Sequence, residues 1–130
     1  MSNQSTAGPE AQVVLDVDLT AGYFEMVLAN VGGSVAHDVK VEFSRKIIGA
    51  EGTVVTALPV FDRLRTLRPG KELRIYVDTA VDLFERRKLN VFRATVRWRN
   101  TAGSDYRAIY RHDLDLYRDL PHIVRVPGHA

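Results

Sequence analysis

The chain has 130 residues, the size of one ordinary domain, and it contains no cysteine, which excludes disulfides, thiolate metal sites and cysteine nucleophiles. Its 18 basic and 16 acidic side chains leave a formal net charge of +2, too small to argue for nucleic-acid binding. No segment approaches the roughly 20 apolar residues of a membrane-spanning helix, so no membrane span is expected. The start lacks the basic and apolar regions of a signal peptide, and we expect a cytoplasmic protein if Met1 is the natural start.

The first half of the chain predicts three antiparallel strands. Residues 1–10 are small and polar and are predicted to form a flexible tail before the folded domain, residues 11–120, and a C-terminal tail, residues 121–130. Apolar side chains alternate with polar ones in three successive runs, the mark of half-buried strands: Val13, Leu15, Val17, Leu19; Phe24, Met26, Leu28; and Val39, Val41, Phe43. Between the last two runs, we expect Gly32 and Gly33 to supply positive φ angles and Asn30 to hydrogen-bond the turn.

The middle of the chain is less regular. We predict a loop tip at residues 49–52, a short strand within residues 53–60, and a turn at residues 67–70, where proline and glycine adjoin. The next alternating strand contains Leu73, Ile75 and Val77. Residues 79–88 predict one or two helical turns, capped by Thr79 and with an apolar stripe formed by Val81, Leu83 and Phe84.

The last third of the chain predicts a long β-hairpin that turns at residues 100–104. The side chains expected to face inward are Phe92, Ala94, Val96 and Trp98 on one strand and Tyr106, Ala108, Tyr110, His112, Leu114 and Leu116 on the other. Six to eight strands at this spacing, with one helical turn, favour an all-β sandwich over a barrel.

One set of turn and strand residues resembles a family signature. Asn30-x-Gly32-x-x-x-Ala36-x-x-Val39-x-Val41, followed by Leu67-x-Pro69-Gly70, is similar to the pattern of CARDB-like and related bacterial immunoglobulin-like domains, over roughly residues 15–77. The resemblance implies an immunoglobulin-like antiparallel β-sandwich of seven or eight strands. It also implies a non-catalytic bacterial module that holds partners, sugars or neighbouring domains, by analogy at the level of the fold.

Arginines on the outward face of the hairpin are the candidate binding residues: Arg93, Arg97, Arg99, Arg107 and Arg111. Neighbouring strands lie about 4.8 Å apart, so these guanidinium groups are expected to share one patch that suits phosphates or carboxylates. The alternative is a solvated sheet face with cross-strand pairs to Glu42, Asp105 or Asp113. No aromatic residue is interleaved on that face, which argues against single-stranded nucleic acid.

Other candidates for chemistry are weak. The histidines do not suggest a converging metal site, and His112 is expected to be a hydrogen-bonded, half-buried side chain. Two same-face carboxylate pairs, Asp16 with Asp18 and Asp113 with Asp115, could in principle serve calcium binding or acid–base chemistry, but an ordinary outward strand face is the favoured interpretation. We expect neither an enzyme nor a cofactor or metal site.

The sequence therefore predicts a non-catalytic protein-binding or assembly module, with a protein partner or a second copy as its occupant. The candidate partner contacts are Tyr117, Leu120 and Ile123. The alternative is an anion- or carbohydrate-binding domain that uses the arginine-rich sheet face.

Overall fold

Two antiparallel sheets form the domain. The computed structural model of the protein describes residues 10–86 and 90–118. The strands are β1 (Val13–Thr20), β2 (Tyr23–Asn30), β3 (Ala36–Phe43), β4 (Leu64–Leu67), β5 (Glu72–Thr79), β6 (Val91–Arg99) and β7 (Asp105–Asp113), with one helix, α1 (Ala80–Arg86), after β5. One sheet has the order β1-β2-β5 and the other β4-β3-β6-β7. The fold is thus an immunoglobulin-like β-sandwich of seven strands, as predicted, with the fourth strand beside the third and not beside the fifth.

The core lies between the sheets and is built from the alternating apolar residues. Phe24 and Leu28 of β2 are fully buried, and Val39 of β3 and Val96 of β6 meet them from the other sheet. Trp98 is only 6% exposed, so the predicted inward face of β6 is confirmed. Because side chains alternate along a strand, burial of this face directs the intervening arginines of β6 to solvent.

A β-bulge in β3 explains the spacing Ala36-x-x-Val39, which breaks strict alternation. The pairing of β3 with β6 shifts between His37 and Lys40, and Asp38 adopts a positive φ of 49°. The extra residue lets both Ala36 and Val39 face the core while Asp38 stays exposed.

Asn30 joins three segments at one end of the sandwich, as its predicted turn role requires. Its Oδ1 accepts hydrogen bonds from the backbone N–H groups of Gln12 and Gly32, at 3.2 and 2.9 Å. Its Nδ2 donates to the carbonyls of Ser34 and Leu67, at 2.8 and 2.9 Å. The side chain is 1% exposed and uses all of its ordinary hydrogen-bonding groups.

The expected positive φ angles at Gly32 and Gly33 are wrong, because neither residue is among the positive-φ glycines. A glycine is required at position 32 because the neighbouring backbone leaves no room for a side chain. A Cβ there would collide with the backbone carbonyl oxygen of Glu10 and lie 2.6 Å from the backbone nitrogen of Gln12. The segment before β1 therefore packs directly on the β2–β3 turn.

The predicted strand within residues 53–60 is also wrong. Short 3-10 turns occupy Ala50–Gly52, Val55–Ala57 and Pro59–Phe61, and one isolated bridge joins Ile48 to Val54. Proline at position 59 and the buried side chains of Val55 and Phe61 favour these compact turns over an extended ladder. The short strand β4 follows instead.

The helix after β5 is confirmed, and Thr79 caps it by accepting a hydrogen bond from the Asp82 N–H at 3.1 Å. Leu83 is buried, whereas Val81 is 65% exposed, so the predicted apolar stripe is wrong at Val81.

Leu116 was expected to face inward, but β7 ends at Asp113 and a 3-10 turn then leaves Leu116 exposed.

Candidate functional site

The β6–β7 hairpin places its arginines directly opposite one another on the outer face of the four-stranded sheet. Arg93 pairs with Arg111, and Arg97 pairs with Arg107. Strand β3 adds Lys40 beside Arg97. We call the exposed set Lys40, Arg93, Arg97, Arg99, Arg107 and Arg111 the arginine face. The structure therefore brings all five predicted arginines to one surface.

Two of these arginines form the ion pairs that the alternative interpretation expected. Arg97 contacts Glu42 on β3, and Arg99 contacts Asp38 and Asp105 at 3.4 and 3.2 Å. All of these side chains are well exposed, and exposed ion pairs contribute about 0–1 kcal/mol each. Asp113, the third expected partner, instead accepts a hydrogen bond from the Asp115 N–H.

The other cations of the arginine face have no such partner in residues 10–86 and 90–118. Arg93, Arg107, Arg111 and Lys40 form no ion pair with any carboxylate there. Like charges directly opposite on paired strands are destabilising. The face consequently carries positive charge that the described part of the domain does not neutralise.

Two open depressions adjoin one another among these cations. One depression, of about 580 Å³, is lined by Asp38, Lys40, Arg97, Trp98, Arg99, Asp105, Tyr106 and Arg107. A second, of about 470 Å³, continues from it towards the 3-10 turns and shares Lys40 and Arg97. An open trough of this kind suits an extended chain better than an enclosed small molecule.

The outer face of the other sheet has the opposite charge. Asp18, Glu25 and Glu72 surround Arg74, with contacts of 3.0, 2.8 and 2.8 Å. Hydrogen bonds to Glu25 and then to Asp18 and Glu72 raise the pKa of Arg74 above its ordinary value. One cation among three carboxylates leaves this face acidic, so an anionic partner would be attracted to one side of the domain and repelled by the other.

The remaining candidates of the sequence analysis have structural contacts. His112 is half-buried, and its Nε2 donates to the Leu15 carbonyl at 2.7 Å, as expected. Tyr117 is half-buried, and its ring packs edge-to-face on Phe24 at 5.5 Å, which uses much of its surface inside the domain. Leu120 and Ile123 lie outside the described residues.

The paired carboxylates are also engaged locally. Asp16 accepts a hydrogen bond from the Val17 N–H, and Asp115 accepts one from the Asn90 side chain at 2.9 Å. Nowhere in residues 10–86 and 90–118 do three or more histidine, aspartate or glutamate side chains converge as metal ligands would. The same residues contain no helix of the length and apolarity required to cross a membrane.

Sequence reasoning missed the way in which β7 closes one side of the sandwich. Tyr110 Oη donates to the Val13 carbonyl at 2.9 Å, and His112 likewise donates to the Leu15 carbonyl. Both hydrogen bonds link a β7 side chain to the backbone of β1. Burial raises the pKa of Tyr110. The signal was present, since a polar group at the tip of an inward aromatic needs a partner, but the partner is on a strand nearly a hundred residues away.

Comparison with known proteins gives a family but no activity. A family model described as a domain of unknown function (DUF8453) matches residues 1–118. No curated protein matches the chain, and no solved structure matches it.

Proposed function

We propose that this chain, which belongs to the DUF8453 family, is a non-catalytic protein-binding module that engages an acidic partner through the arginine face. The observation that carries the proposal is the register of the hairpin, in which Arg93 faces Arg111 and Arg97 faces Arg107. These are the non-hydrogen-bonded pairs of the ladder, whose side chains start closest together. An arrangement that costs folding free energy is explained if a ligand supplies the missing negative charge.

The chemistry of the face supports a protein partner in particular. Ile109 is half exposed in the middle of the cations, with Thr95 beside it on β6. Arginine forks around an apolar centre are typical of protein interfaces, where carboxylates of the partner pair with the guanidinium groups and an apolar side chain covers the middle. The resemblance to CARDB-like domains, which hold partners, sugars or neighbouring domains, is consistent with a non-catalytic binding module and does not distinguish the partner.

The second candidate function is the binding of an anionic carbohydrate. The depression lined by Arg97, Arg99 and Arg107 favours it, because three guanidinium groups offer many donors to sulfate or carboxylate groups. Tyr106 lines the same depression, but its ring is already stacked on Trp98, with the centroids 5.9 Å apart, and this contact leaves less aromatic surface to stack on a sugar ring. We therefore place it second.

The experiment compares two charge-reversal variants that change the net charge equally. Arg93→Glu/Arg111→Glu alters the arginine face, and Arg68→Glu/Lys71→Glu alters exposed residues of the β4–β5 turn. Binding of a fluorescent hexaglutamate peptide is measured by anisotropy, with a sulfated disaccharide as competitor.

We expect the face variant to weaken peptide binding by about tenfold or more and the turn variant by less than about twofold. Raising the salt from about 50 to about 200 mM should weaken binding of the wild-type protein. Equal losses in both variants, or no binding by the wild type, would contradict the proposal. Tight binding of the disaccharide with weak binding of the peptide would favour the carbohydrate alternative.

A further inference from the structure

The backbone of β7 has one open edge. The bonds Asn100 N–H to Ser104 carbonyl and Leu114 N–H to Asn90 carbonyl, both 2.9 Å, bracket a ladder with no register shift. In an antiparallel ladder the bonded residues alternate, so the even-numbered residues of β7 bond to β6. The backbone N–H and C=O groups of Arg107, Ile109 and Arg111 therefore point away from β6, on a side where residues 10–86 and 90–118 supply no further strand.

The other long sheet edges, β1 and β5, suit an added acidic strand less well. On β1, the carbonyls of Val13 and Leu15 accept hydrogen bonds from β7 side chains, and the Val17 N–H is bonded by Asp16. On β5, Gly49 approaches the Val77 carbonyl closely, and the rest of the strand borders the acidic face, where Glu72 contacts Arg74. An acidic segment would be repelled there. Strand β4 has only four residues, and short edges resist pairing. Within the described residues, β7 is therefore the long edge whose outward backbone groups are flanked by cations.

The side chains along this edge define what fits beside it. Arg107, Ile109 and Arg111 all project onto the arginine face, with the half-exposed Ile109 between two cations that have no ion pair in the described chain. A strand added at the edge would lie about 4.8 Å away, with its own side chains in register with these three. Acidic residues four positions apart with an apolar residue midway between them match that pattern.

A second copy of this chain does not match it. If two β7 edges paired antiparallel about Ile109, each Arg107 would face an Arg111 of the other copy. Four guanidinium groups would then be opposed, which disfavours the pair, and charge along an edge is a known protection against self-association.

We propose that the β7 edge accepts an extended acidic segment of a partner protein as an added antiparallel or parallel strand, through the backbone of Arg107, Ile109 and Arg111. This inference rests on the proposed function and adds the mode of binding to it. Backbone hydrogen bonds supply the affinity, and the alternating acidic side chains supply the selectivity.

The probe is the heptapeptide Thr-Glu-Thr-Val-Thr-Glu-Thr, and the measurement is amide hydrogen exchange by NMR, with and without saturating peptide. We expect the amides of Arg107, Ile109 and Arg111 to exchange fast in the free protein and to slow by about tenfold or more when the peptide binds. The amides of Ala108 and Tyr110, already bonded to β6, should change little. This odd–even pattern is specific to strand addition.

The variant Ile109→Pro removes one N–H at the open edge, where proline is compatible with a strand. We expect this variant to bind the heptapeptide about tenfold more weakly. It should retain most of its binding to hexaglutamate, because that peptide contacts only the charged side chains of the arginine face. If the wild-type protein binds the heptapeptide without slowing those three amides, or fails to bind it while binding hexaglutamate, the edge inference is wrong and the arginine-face proposal stands. Failure to bind either peptide contradicts both.

Discussion

Replacing Asn30 with alanine should be among the most damaging single changes outside the apolar core. Two of its four hydrogen-bond partners, the Gly32 N–H and the Leu67 carbonyl, are buried. Each buried group left without a partner costs about 1–3 kcal/mol, so we expect Asn30→Ala to lower the free energy of unfolding by about 4 kcal/mol. That is a large share of the roughly 5–15 kcal/mol typical of a domain and corresponds to a fall in Tm of roughly 15 °C.

The assay is equilibrium unfolding in guanidinium chloride, with Asn30→Asp as the matched variant. Aspartate keeps an oxygen for the Gln12 and Gly32 N–H groups but places a carboxylate against the carbonyls of Ser34 and Leu67. The pKa of the introduced carboxyl should be raised in the folded state. The loss of unfolding free energy of Asn30→Asp relative to the wild type should therefore shrink as the pH falls towards about 4. A loss of less than about 1 kcal/mol for Asn30→Ala, or a pH-independent deficit for Asn30→Asp, would refute this reasoning.

Three further predictions concern the sheet face, the turn and the C-terminal segment. Arg111→Glu places a carboxylate opposite Arg93 and should raise the free energy of unfolding by about 0.5–1 kcal/mol while weakening hexaglutamate binding; a loss of stability would mean that the arginine pair supports the fold. Gly32→Ala should lower the free energy of unfolding, measured by urea denaturation, by about 3 kcal/mol. Gly103→Ala should lower it by about 1 kcal/mol, because a Cβ at position 103 meets open space and only the positive φ is unfavourable. The hydrogen bond from Asn90, followed by the contact with Arg118, lowers the pKa of Asp115. The stability that the ionised Asp115 carboxyl contributes is therefore complete above its unfolded pKa of about 3.9 and is lost as the pH falls through its lower pKa in the folded state. The free energy of unfolding of the wild type should exceed that of Asp115→Asn by less below about pH 4; a difference that grows on acidification would contradict the assignment.

The strands were predictable because burial of one face leaves a period of two in the sequence. Val13 to Val17, Phe24 to Leu28 and Phe92 to Trp98 all alternate, and their inward faces form the core. The outward position of the arginines followed from the same alternation. The turn at Pro69-Gly70 and the helix cap at Thr79 could also be predicted, because their residue types have distinctive local chemistry.

The errors come from tertiary contacts that leave no local pattern. The apolar residues within 53–60 suggested a strand, yet this segment forms 3-10 turns, from one of which Val55 is buried in the core. Gly32 has no unusual φ, and only the approach of the chain before β1 requires a glycine there. The pairing of Arg93 with Arg111 depends on a register that the sequence of the hairpin alone did not specify.

The most direct test of the arginine face as the binding surface is NMR chemical-shift mapping with hexaglutamate on the wild-type protein. We predict that the largest shifts fall on β6, β7 and Lys40, with little change around Arg74 on the acidic outer face of the other sheet. Shifts concentrated around Arg74 or on α1, with β6 and β7 unperturbed, would contradict the proposal.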